Sequence, residues 1–230
     1  MQAITLDSVS RVYGRIFAVH RLSAEFRAGR VTALVGDNGS GKTTLLTLLA
    51  TLEQPTDGTI TYDDVGWRSF AKNYRDRVGW IAHDSLVYEE LTGRENLDFY
   101  AGMHGSDAGE TSVDEWLDRV GLAEAADRRV SAYSRGMQQR LSIARALLHD
   151  PDLLLLDEPL TGLDRKGRRT VIELIDEWRR RQKLIVLASH DLQTLDELAD
   201  TVAIMRRGKL AQISEADEID SVADLYREYA

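Results

Sequence analysis

The sequence predicts an α/β fold in which a doubly wound, mostly parallel sheet forms the core. Two observations in the C-terminal part of the chain lead to this prediction. The segment Leu153-Leu-Leu-Leu156 is apolar at every position, as expected for a strand that is covered on both faces in a parallel sheet. Strands and helices then alternate, with strands predicted at Leu184–Ala188 and Val202–Met205 and helices at 166–181 and 191–199.

The N-terminal part of the chain begins with strands and leads into the same sheet. Alternating apolar residues between Ile4 and Phe26 predict strands, and Val31–Val35 is a compact apolar strand that runs into a glycine-rich loop. A helix is predicted over Thr44–Leu52, followed by strands at Thr59–Tyr62 and Val78–Ala82. The first helix therefore follows directly from a strand and a glycine-rich loop.

Residues 85–150 differ from the rest of the chain because their pattern is helical. A capping-box pattern at 92–95 opens a helix that reaches Ala101. Further helices are predicted over Val113–Val120 and Ser134–Leu148. A helical insert between strands of the sheet is the simplest interpretation of this segment.

Composition and charge exclude several classes of protein. The hydrophobic share of 43% and the charged share of 29% are those of an ordinary globular protein. No apolar run reaches the length of a membrane helix, and the first residues lack the features of a signal peptide, so we expect a cytosolic protein. A net charge of −9 argues against nucleic-acid binding and against direct adsorption to anionic lipid. The absence of cysteine excludes disulfides and thiolate metal sites.

The glycine-rich loop carries the strongest chemical signal in the sequence. Residues 36–43 read Gly-Asp-Asn-Gly-Ser-Gly-Lys-Thr and fit the P-loop pattern G-x-x-x-x-G-K-[S/T] between a predicted strand and a predicted helix. Backbone N–H groups and the positive end of the helix would hold phosphate oxygens. Lys42 would reach the β- and γ-phosphates, and the Thr43 hydroxyl would ligate Mg²⁺. The predicted nucleotide contacts here are Gly36, Asp37, Asn38, Gly39, Ser40, Gly41, Lys42, Thr43 and Thr44.

Two carboxylates follow the apolar strand at 153–156. Asp157 lies at the carboxyl edge of the sheet, where it would hold Mg²⁺ through water. Glu158 would polarise the water that attacks the γ-phosphate. Acidic residues also end many buried strands without any function. The P-loop elsewhere in the chain favours the catalytic interpretation.

Four further segments resemble the ATP-binding subunits of ABC transporters, and together they span about residues 4–210. The segment Tyr133-Ser-Arg-Gly-Met137 resembles the signature motif, which is usually Leu-Ser-Gly-Gly-Gln. Thr161–Asp164 resembles the D-loop, and Ser189-His190-Asp191 resembles the segment with the switch histidine. Tyr13 resembles the aromatic residue that stacks on adenine.

The resemblance implies a fold and a division of the chain. It implies a P-loop NTPase with a RecA-like, mostly parallel sheet, an N-terminal antiparallel β subdomain and an inserted α-helical subdomain. We therefore predict one ABC ATPase domain over 1–230. Its nucleotide-binding core would comprise 1–84 and 151–230, and the helical subdomain would comprise 85–150.

The resemblance also implies a mechanism in which two such domains meet head to tail. Each ATP would lie between the P-loop of one domain and the signature helix of the other, with Ser134, Gly136 and the D-loop residue Asp164 as further nucleotide contacts. Ser134 is independently a good helix N-cap, which offers a second anion-binding helix end. His190 and Lys42 would act with Glu158 in catalysis. The second domain would be an identical chain or a related one.

The sequence departs from the family pattern at two sites. Tyr133, Arg135 and Met137 replace the usual Leu, Gly and Gln of the signature. His83 stands at the end of a strand where the family usually has a Gln that ligates Mg²⁺, so His83 is a predicted metal ligand whose binding is weakened by protonation. The stretch from Gly79 to Leu97 is locally similar to the ATPase subunits of cytochrome c maturation haem exporters.

The predicted function is that of an ATP-hydrolysing subunit that powers substrate movement across a membrane in an ABC transporter. A haem-exporter-like or multidrug-type exporter is one form that it could take, and the sequence leaves the cargo and the direction of transport open. A separate transmembrane subunit would dock near Ser85–Leu91, and the chain would lie at the cytoplasmic face of the membrane through this partner alone. Two alternatives stay open: a soluble regulatory or assembly ATPase of the ABC type, and a module that binds ATP without turnover. Glu158 and His190 argue against the last.

Overall fold

The computed structural model describes residues 1–82, 85–105 and 111–229, and these residues form ten strands and eight α-helices. The strands are β1 (Ala3–Tyr13), β2 (Ile16–Arg27), β3 (Val31–Val35), β4 (Asp57–Tyr62), β5 (Val65–Gly66), β6 (Val78–Ile81), β7 (Leu153–Asp157), β8 (Leu184–Ala188), β9 (Thr201–Arg206) and β10 (Lys209–Glu215). The helices are α1 (Lys42–Leu49), α2 (Trp67–Asn73), α3 (Gly93–His104), α4 (Val113–Arg119), α5 (Arg135–Leu147), α6 (Arg165–Arg180), α7 (Leu192–Leu198) and α8 (Val222–Tyr229).

The central sheet has the strand order β10-β9-β3-β8-β7-β6, and its pairs are parallel except for β10 with β9. Successive side chains of β7 enter two different hydrophobic clusters. Leu154 and Leu156 pack on one face of the sheet, whereas Leu153 and Leu155 pack on the other. This burial on both faces explains why the strand has no polar position, and it confirms the predicted parallel sheet.

A second sheet, of order β2-β1-β4-β5 and antiparallel throughout, covers one face of the central sheet together with α1 and α2. The stacked rings of Tyr62 and Phe70 lie in the cluster that joins the two sheets, and their centroids are 3.7 Å apart. The N-terminal antiparallel sheet expected from the family resemblance is therefore present.

Helices α3, α4 and α5 form the helical segment between β6 and β7. The predicted capping box at its start is confirmed: the Thr92 hydroxyl accepts from the backbone N–H of Glu95, and the Glu95 carboxylate accepts from that of Thr92. Trp116 of α4 and Trp178 of α6 are both buried, and their ring centroids lie 5.8 Å apart. This contact fastens the helical segment to the core. The predicted division of the chain at 85 and 150 stays an interpretation.

Most predicted elements lie within two or three residues of the observed ones, with α1 the clearest correction. This helix spans Lys42–Leu49, not Thr44–Leu52, because Gly41 is its N-cap and because Thr51, with φ 59°, adopts a left-handed conformation that ends it. The sequence did not predict α2, β10 or α8. In α2 the one buried side chain is Phe70, so the apolar spacing that signals a helix is missing.

In the part of the chain that the structure describes, no helix is both long and apolar enough to cross a membrane.

Candidate functional site

A cleft of about 790 Å³ opens at the carboxyl ends of β3, β7 and β8, where the parallel strands of the central sheet deliver their loops to one edge. The described residues that line it are Tyr13, Ile16, Phe17, Ala18, Val35, Gly36, Asp37, Asn38, Gly39, Gly41, Lys42, Thr43, Thr44, Asp157, Glu158, Thr161, Ser189, His190, Leu192 and Tyr226. The structure thus brings together the predicted P-loop, both carboxylates, His190 and Tyr13.

The P-loop wraps around the N-terminus of α1 in a conformation that requires glycine. Gly41 has a φ of 107°, and a Cβ atom built there would lie 2.2 Å from the carbonyl oxygen of Ala18. At Gly36, a Cβ atom would lie 2.2 Å from the carbonyl oxygen of Met205. The loop therefore packs directly against two neighbouring strands, and the first N–H groups of α1 are left for an anion.

Lys42 extends across the P-loop from the first turn of α1. Its Nζ atom donates to the carbonyl oxygen of Gly36 at 2.6 Å and to that of Asp37 at 3.1 Å. Burial lowers the pKa of the ammonium group from its ordinary value, while the nearby Glu158 and Asp157 carboxylates oppose this effect. A cation held inside the loop in this way is placed to meet the phosphates of a bound nucleotide.

The Thr43 hydroxyl donates to Oδ2 of Asp157 at 2.7 Å, which joins the first turn of α1 to the end of β7. An alcohol oxygen and a carboxylate at this separation are the oxygen ligands that Mg²⁺ takes beside substrate phosphates. The described residues contain no group of three or more His, Cys, Asp or Glu side chains placed to hold a metal alone. The donor set therefore fits an ion that is bound with its substrate rather than in a protein cage.

Glu158 adopts a left-handed backbone conformation, with φ 53°, immediately after β7. Its backbone N–H donates to the carbonyl oxygen of Ala188 at 2.8 Å, so the residue is attached to the end of β8. Its carboxylate accepts from the Ser189 hydroxyl at 3.2 Å and lies 2.9 Å from Nδ1 of His190. A non-glycine residue held in this conformation is a common feature of functional sites.

Tyr13 lies at the rim of the cleft, at the end of β1. Its hydroxyl donates to Oε2 of Glu53, and the guanidinium carbon of Arg11 lies 4.7 Å from its ring centre. Ile16 and Phe17, which the sequence analysis did not identify, line the same rim and are 71% and 50% exposed. Both residues fit the apolar pattern of β2, so the sequence contains no sign that they are exposed at the cleft.

Tyr226 of α8 is a further residue that the sequence analysis missed. It lines the cleft, and its hydroxyl donates to Oδ1 of Asp37 in the P-loop. The two residues are far apart in the sequence, so no local pattern could have joined them.

The predicted signature residues lie at the start of α5, outside the lining of this cleft. The Ser134 hydroxyl accepts from the backbone N–H of Met137 at 3.3 Å and caps the helix. Gly136 packs on the D-loop so closely that a Cβ atom would lie 2.8 Å from the carbonyl oxygen of Gly162. Asp164 caps α6 by accepting from Gly167 N–H at 2.8 Å. Signature and D-loop thus form a joint surface on one side of the molecule.

Two of the three departures from the usual signature, Tyr133 and Met137, have structural explanations. Tyr133 is buried, and its hydroxyl donates to the carbonyl oxygen of Ala125 at 2.7 Å. Met137 is partly buried and packs against the hydrophobic cluster that contains Tyr133. The predicted metal ligand His83 lies outside the described residues.

A P-loop at the junction of β3 and α1, with carboxylates at the end of β7, two strands away in the same sheet, defines the class of P-loop NTPases. The family profile described as "ABC transporter" matches residues 19–161 of the chain. The chain belongs to the ABC transporter family, and it binds ATP as an ATPase of that family.

Three curated relatives illustrate the match. The ABC transporter ATP-binding protein NatA of Bacillus subtilis (strain 168) is 34% identical over 90% of this chain and 87% of its own length. The daunorubicin resistance ATP-binding protein DrrA3 of Streptomyces coeruleorubidus is 35% identical over 94% and 69%. The bacitracin transport ATP-binding protein BcrA of Bacillus licheniformis is 36% identical over 98% and 74%.

Solved structures agree with this assignment. An ATP-binding subunit of an ABC transporter superimposes with a TM-score of 0.88 at 25% identity, over 98% of both chains. The ATP-binding cassette MJ0796, described as a dimer bound to ADP and Pi, shares the fold with a TM-score of 0.84 at 23% identity, over 93% of this chain and 98% of its own.

Proposed function

We propose that this ATPase powers the export of small amphipathic molecules through a separate transmembrane subunit. Daunorubicin, bacitracin and fluoroquinolones are the compounds in the names of several relatives, which supports an export function of the multidrug type. The similarity of Gly79–Leu97 to haem-exporter subunits stays a prediction. The observation that carries the proposal is an exposed apolar surface formed by α3 and the residues just before it, described below.

The cleft accounts for the chemistry of hydrolysis. The P-loop N–H groups and Lys42 would hold the β- and γ-phosphates, and Mg²⁺ held by Thr43 and Asp157 would supply charge neutralisation on those phosphates. Glu158 would orient the attacking water and accept its proton, since its carboxylate is at the cleft end of β7. His190 would bind the γ-phosphate side of the site and hold the Glu158 carboxylate in place. Tyr13 would stack on the adenine ring.

Two copies of the domain, identical or related, would enclose the nucleotides head to tail. The signature residues lie outside the described lining of their own cleft: Ser134 caps α5, and Gly136 lies in the first turn of that helix. The N-terminus of such a helix is suited to binding an anion. A second copy that brings this helix end to the γ-phosphate would complete the site. Asp164 would act in this interface indirectly, as the cap that holds the D-loop next to Gly136.

The apolar surface, which we call the docking surface, consists of Leu86, Tyr88, Phe99 and Met103. These side chains are 46%, 46%, 44% and 68% exposed, although each is large and hydrophobic. The rings of Tyr88 and Phe99 meet edge to face with centroids 5.2 Å apart. A contiguous apolar surface of this kind is typical of a protein interface. Of the residues predicted to contact the partner, Val87 is instead packed on the core.

The docking surface is held rigidly on α3. The buried side chain of Asn96 accepts from the backbone N–H of Tyr88 at 2.8 Å and donates to its carbonyl oxygen at 2.9 Å. The Tyr100 hydroxyl donates to the carbonyl oxygen of Leu86 at 2.9 Å, and Leu86 has a left-handed φ of 49°. Because these bonds fix the backbone, Leu86 and Tyr88 stay presented to solvent. A short amphipathic helix of a transmembrane subunit would fit this surface.

Photo-cross-linking tests the partner directly. A benzophenone amino acid placed at position 88 should cross-link to a multi-span membrane protein in cells of the source organism, and the product should be identified by mass spectrometry. Tyr74, which is 38% exposed on a different part of the molecule, is the matched control and should give no such product. Cross-links from position 88 that reach soluble proteins alone would support a soluble regulatory ATPase and overturn the transport proposal.

A further inference from the structure

Two side chains, Tyr13 at the rim of the cleft and Arg11 behind it in β1, share one carboxylate oxygen of Glu53. The Tyr13 hydroxyl donates to Oε2 of Glu53, and Nε of Arg11 donates to the same atom at 2.9 Å. The Arg11 guanidinium also lies over the Tyr13 ring, 4.7 Å from its centre, and its Nη1 donates to the carbonyl oxygen of Gln54 at 3.0 Å. We call this group the tyrosine brace. It fixes the tyrosine ring both at its hydroxyl and at one face.

The position of the brace leaves the other ring face for a ligand. Tyr13 is 41% exposed and lines the cleft, whereas Arg11 is absent from the described residues of the lining. Since Arg11 lies over one face of the ring, a base that stacks on Tyr13 would take the other face. A flat aromatic surface whose rear face and hydroxyl are both engaged loses little side-chain entropy when a second ring stacks on it.

Glu53 also connects the brace to the phosphate end of the site. The backbone N–H groups of Leu52 and Glu53 donate to the carbonyl oxygen of Thr47 at 3.0 and 3.2 Å, so Glu53 is attached to the last turn of α1. The first turn of α1 carries Lys42 and Thr43. Since a helix is a rigid element, the brace sets the distance between the tyrosine ring and the P-loop.

We propose that Arg11 and Glu53 are positioning residues for adenine recognition, which hold Tyr13 in the orientation that stacks on the base while the P-loop holds the phosphates. This inference rests on the proposed function, which assigns Tyr13 to adenine. An isolated exposed ion pair contributes little to stability. Here the pair also orients a third side chain, and its removal should therefore appear in nucleotide affinity.

The test compares a ligand that has a base with one that has none. Calorimetry should show that Arg11→Ala and Glu53→Gln each raise the Kd for ATP about three- to tenfold, a range set by an exposed cation–π contact and its ion pair. The Kd for inorganic tripolyphosphate should stay unchanged, which also shows that the P-loop is folded. In steady-state assays the loss should appear in KM rather than in kcat. Arg27→Ala, which breaks the exposed Arg27–Glu25 pair on β2, is the matched control and should bind ATP like the wild type.

Two more variants make the outcome decisive. Tyr13→Phe keeps the ring but removes the hydroxyl, so its effect and that of Glu53→Gln should not add in the double variant. Fully additive effects would overturn the brace and leave the adenine assignment standing. The same conclusion would follow if Arg11→Ala bound ATP like the wild type while Tyr13→Ala bound it more weakly. A Tyr13→Ala protein that binds ATP as tightly as the wild type would overturn the adenine assignment itself, and the brace with it.

Discussion

Nδ1 of His190 lies 2.9 Å from Oε1 of Glu158, and this contact joins the loops that follow β8 and β7 in the lining of the cleft. The Glu158 side chain is 16% exposed, whereas that of His190 is 74% exposed. The carboxylate is therefore held by the sheet, and the imidazole is the accessible partner that a bound nucleotide or a second subunit meets first. Because the two side chains differ in exposure, we expect different effects when each is replaced.

Replacing Glu158 by glutamine should stop hydrolysis without preventing ATP binding. The amide keeps the size of the side chain and still accepts from Ser189, but it cannot take a proton from water. We expect kcat to fall at least about a hundredfold, with the Kd for ATP within about twofold of the wild type. Because cleavage would no longer release the nucleotide, the variant should accumulate as an ATP-bound dimer.

Light scattering with and without Mg-ATP measures this dimer. Gly136→Asp in the Glu158→Gln background is the matched control, because any side chain at 136 collides with the Gly162 carbonyl and a carboxylate there would repel the phosphate. The double variant should stay monomeric. A Glu158→Gln protein that is inactive yet monomeric at saturating ATP would leave the catalytic assignment standing and contradict the head-to-tail arrangement.

Replacing His190 by alanine should lower kcat by about ten- to a hundredfold and leave the fold intact, because the side chain is largely exposed and its recorded ion-pair partner is Glu158. Glutamine at the same position retains a hydrogen-bond donor and should restore part of the activity. Steady-state ATPase assays check both variants. Wild-type turnover in His190→Ala would remove the histidine from the reaction.

Replacing Lys42 by alanine should abolish ATP turnover while the thermal unfolding temperature stays within a few degrees of the wild type. The loop is held by Gly36 and Gly41 against neighbouring backbone, so its shape does not depend on the lysine. The exposed Lys72 of α2 provides the control, since Lys72→Ala removes the same charge away from the cleft. Unchanged hydrolysis in Lys42→Ala would contradict the assigned site.

The bond between Tyr226 and Asp37 should affect nucleotide binding through charge. The Tyr226 hydroxyl donates to the Asp37 carboxylate, which raises the pKa of the tyrosine. Tyr226→Phe would remove the hydrogen bond to Asp37 and leave its negative charge unshielded near the bound phosphates. Because this charge would repel the phosphates, we expect the KM for ATP to rise about two- to fivefold. Asp37→Asn in the same protein should cancel the rise, because the amide carries no charge. If the double variant keeps the raised KM, charge is not the cause.

Acid should destabilise the protein through His149, which lies between α5 and β7. Its ring stacks on that of His104 with centroids 4.0 Å apart, and Nε2 donates to the Val78 carbonyl at 3.2 Å. Burial, and next the neighbouring His104, lower the pKa of His149 from 6.5 to about 4. Between these pH values His149 is protonated in the unfolded chain but neutral in the folded protein. The free energy of unfolding therefore falls as pH drops from about 6.5 to 4.

The loss attributable to His149 is about 3 kcal/mol over the whole titration, and about 2 kcal/mol of it falls between pH 7 and pH 5. Urea unfolding at pH 7 and pH 5 measures it, and His149→Gln should show a smaller loss than the wild type. The carboxylates titrate in both proteins, so the difference between the two losses isolates the imidazole. Equal losses in the two proteins would contradict the assignment.

The sequence alone determined the elements whose signals are local. The all-apolar β7, the P-loop at 36–43 and the capping box at 92–95 depend on a few consecutive residues, and each was predicted with its place in the fold. Strand β10 was missed because its side chains are exposed or half-buried, which gives no apolar run. Helix α2 was missed for a similar reason, since Phe70 is its single buried side chain.

Only the tertiary structure decided which distant residues meet. Tyr226 reaches Asp37 across 189 positions, and Glu53 meets Arg11 across 42, so no short-range pattern records either contact. The physical reason is that a nucleotide cleft is assembled from the ends of several strands and helices. Residue type and spacing within one segment determine which chemistry a side chain can perform. Packing between segments determines which partner that side chain meets.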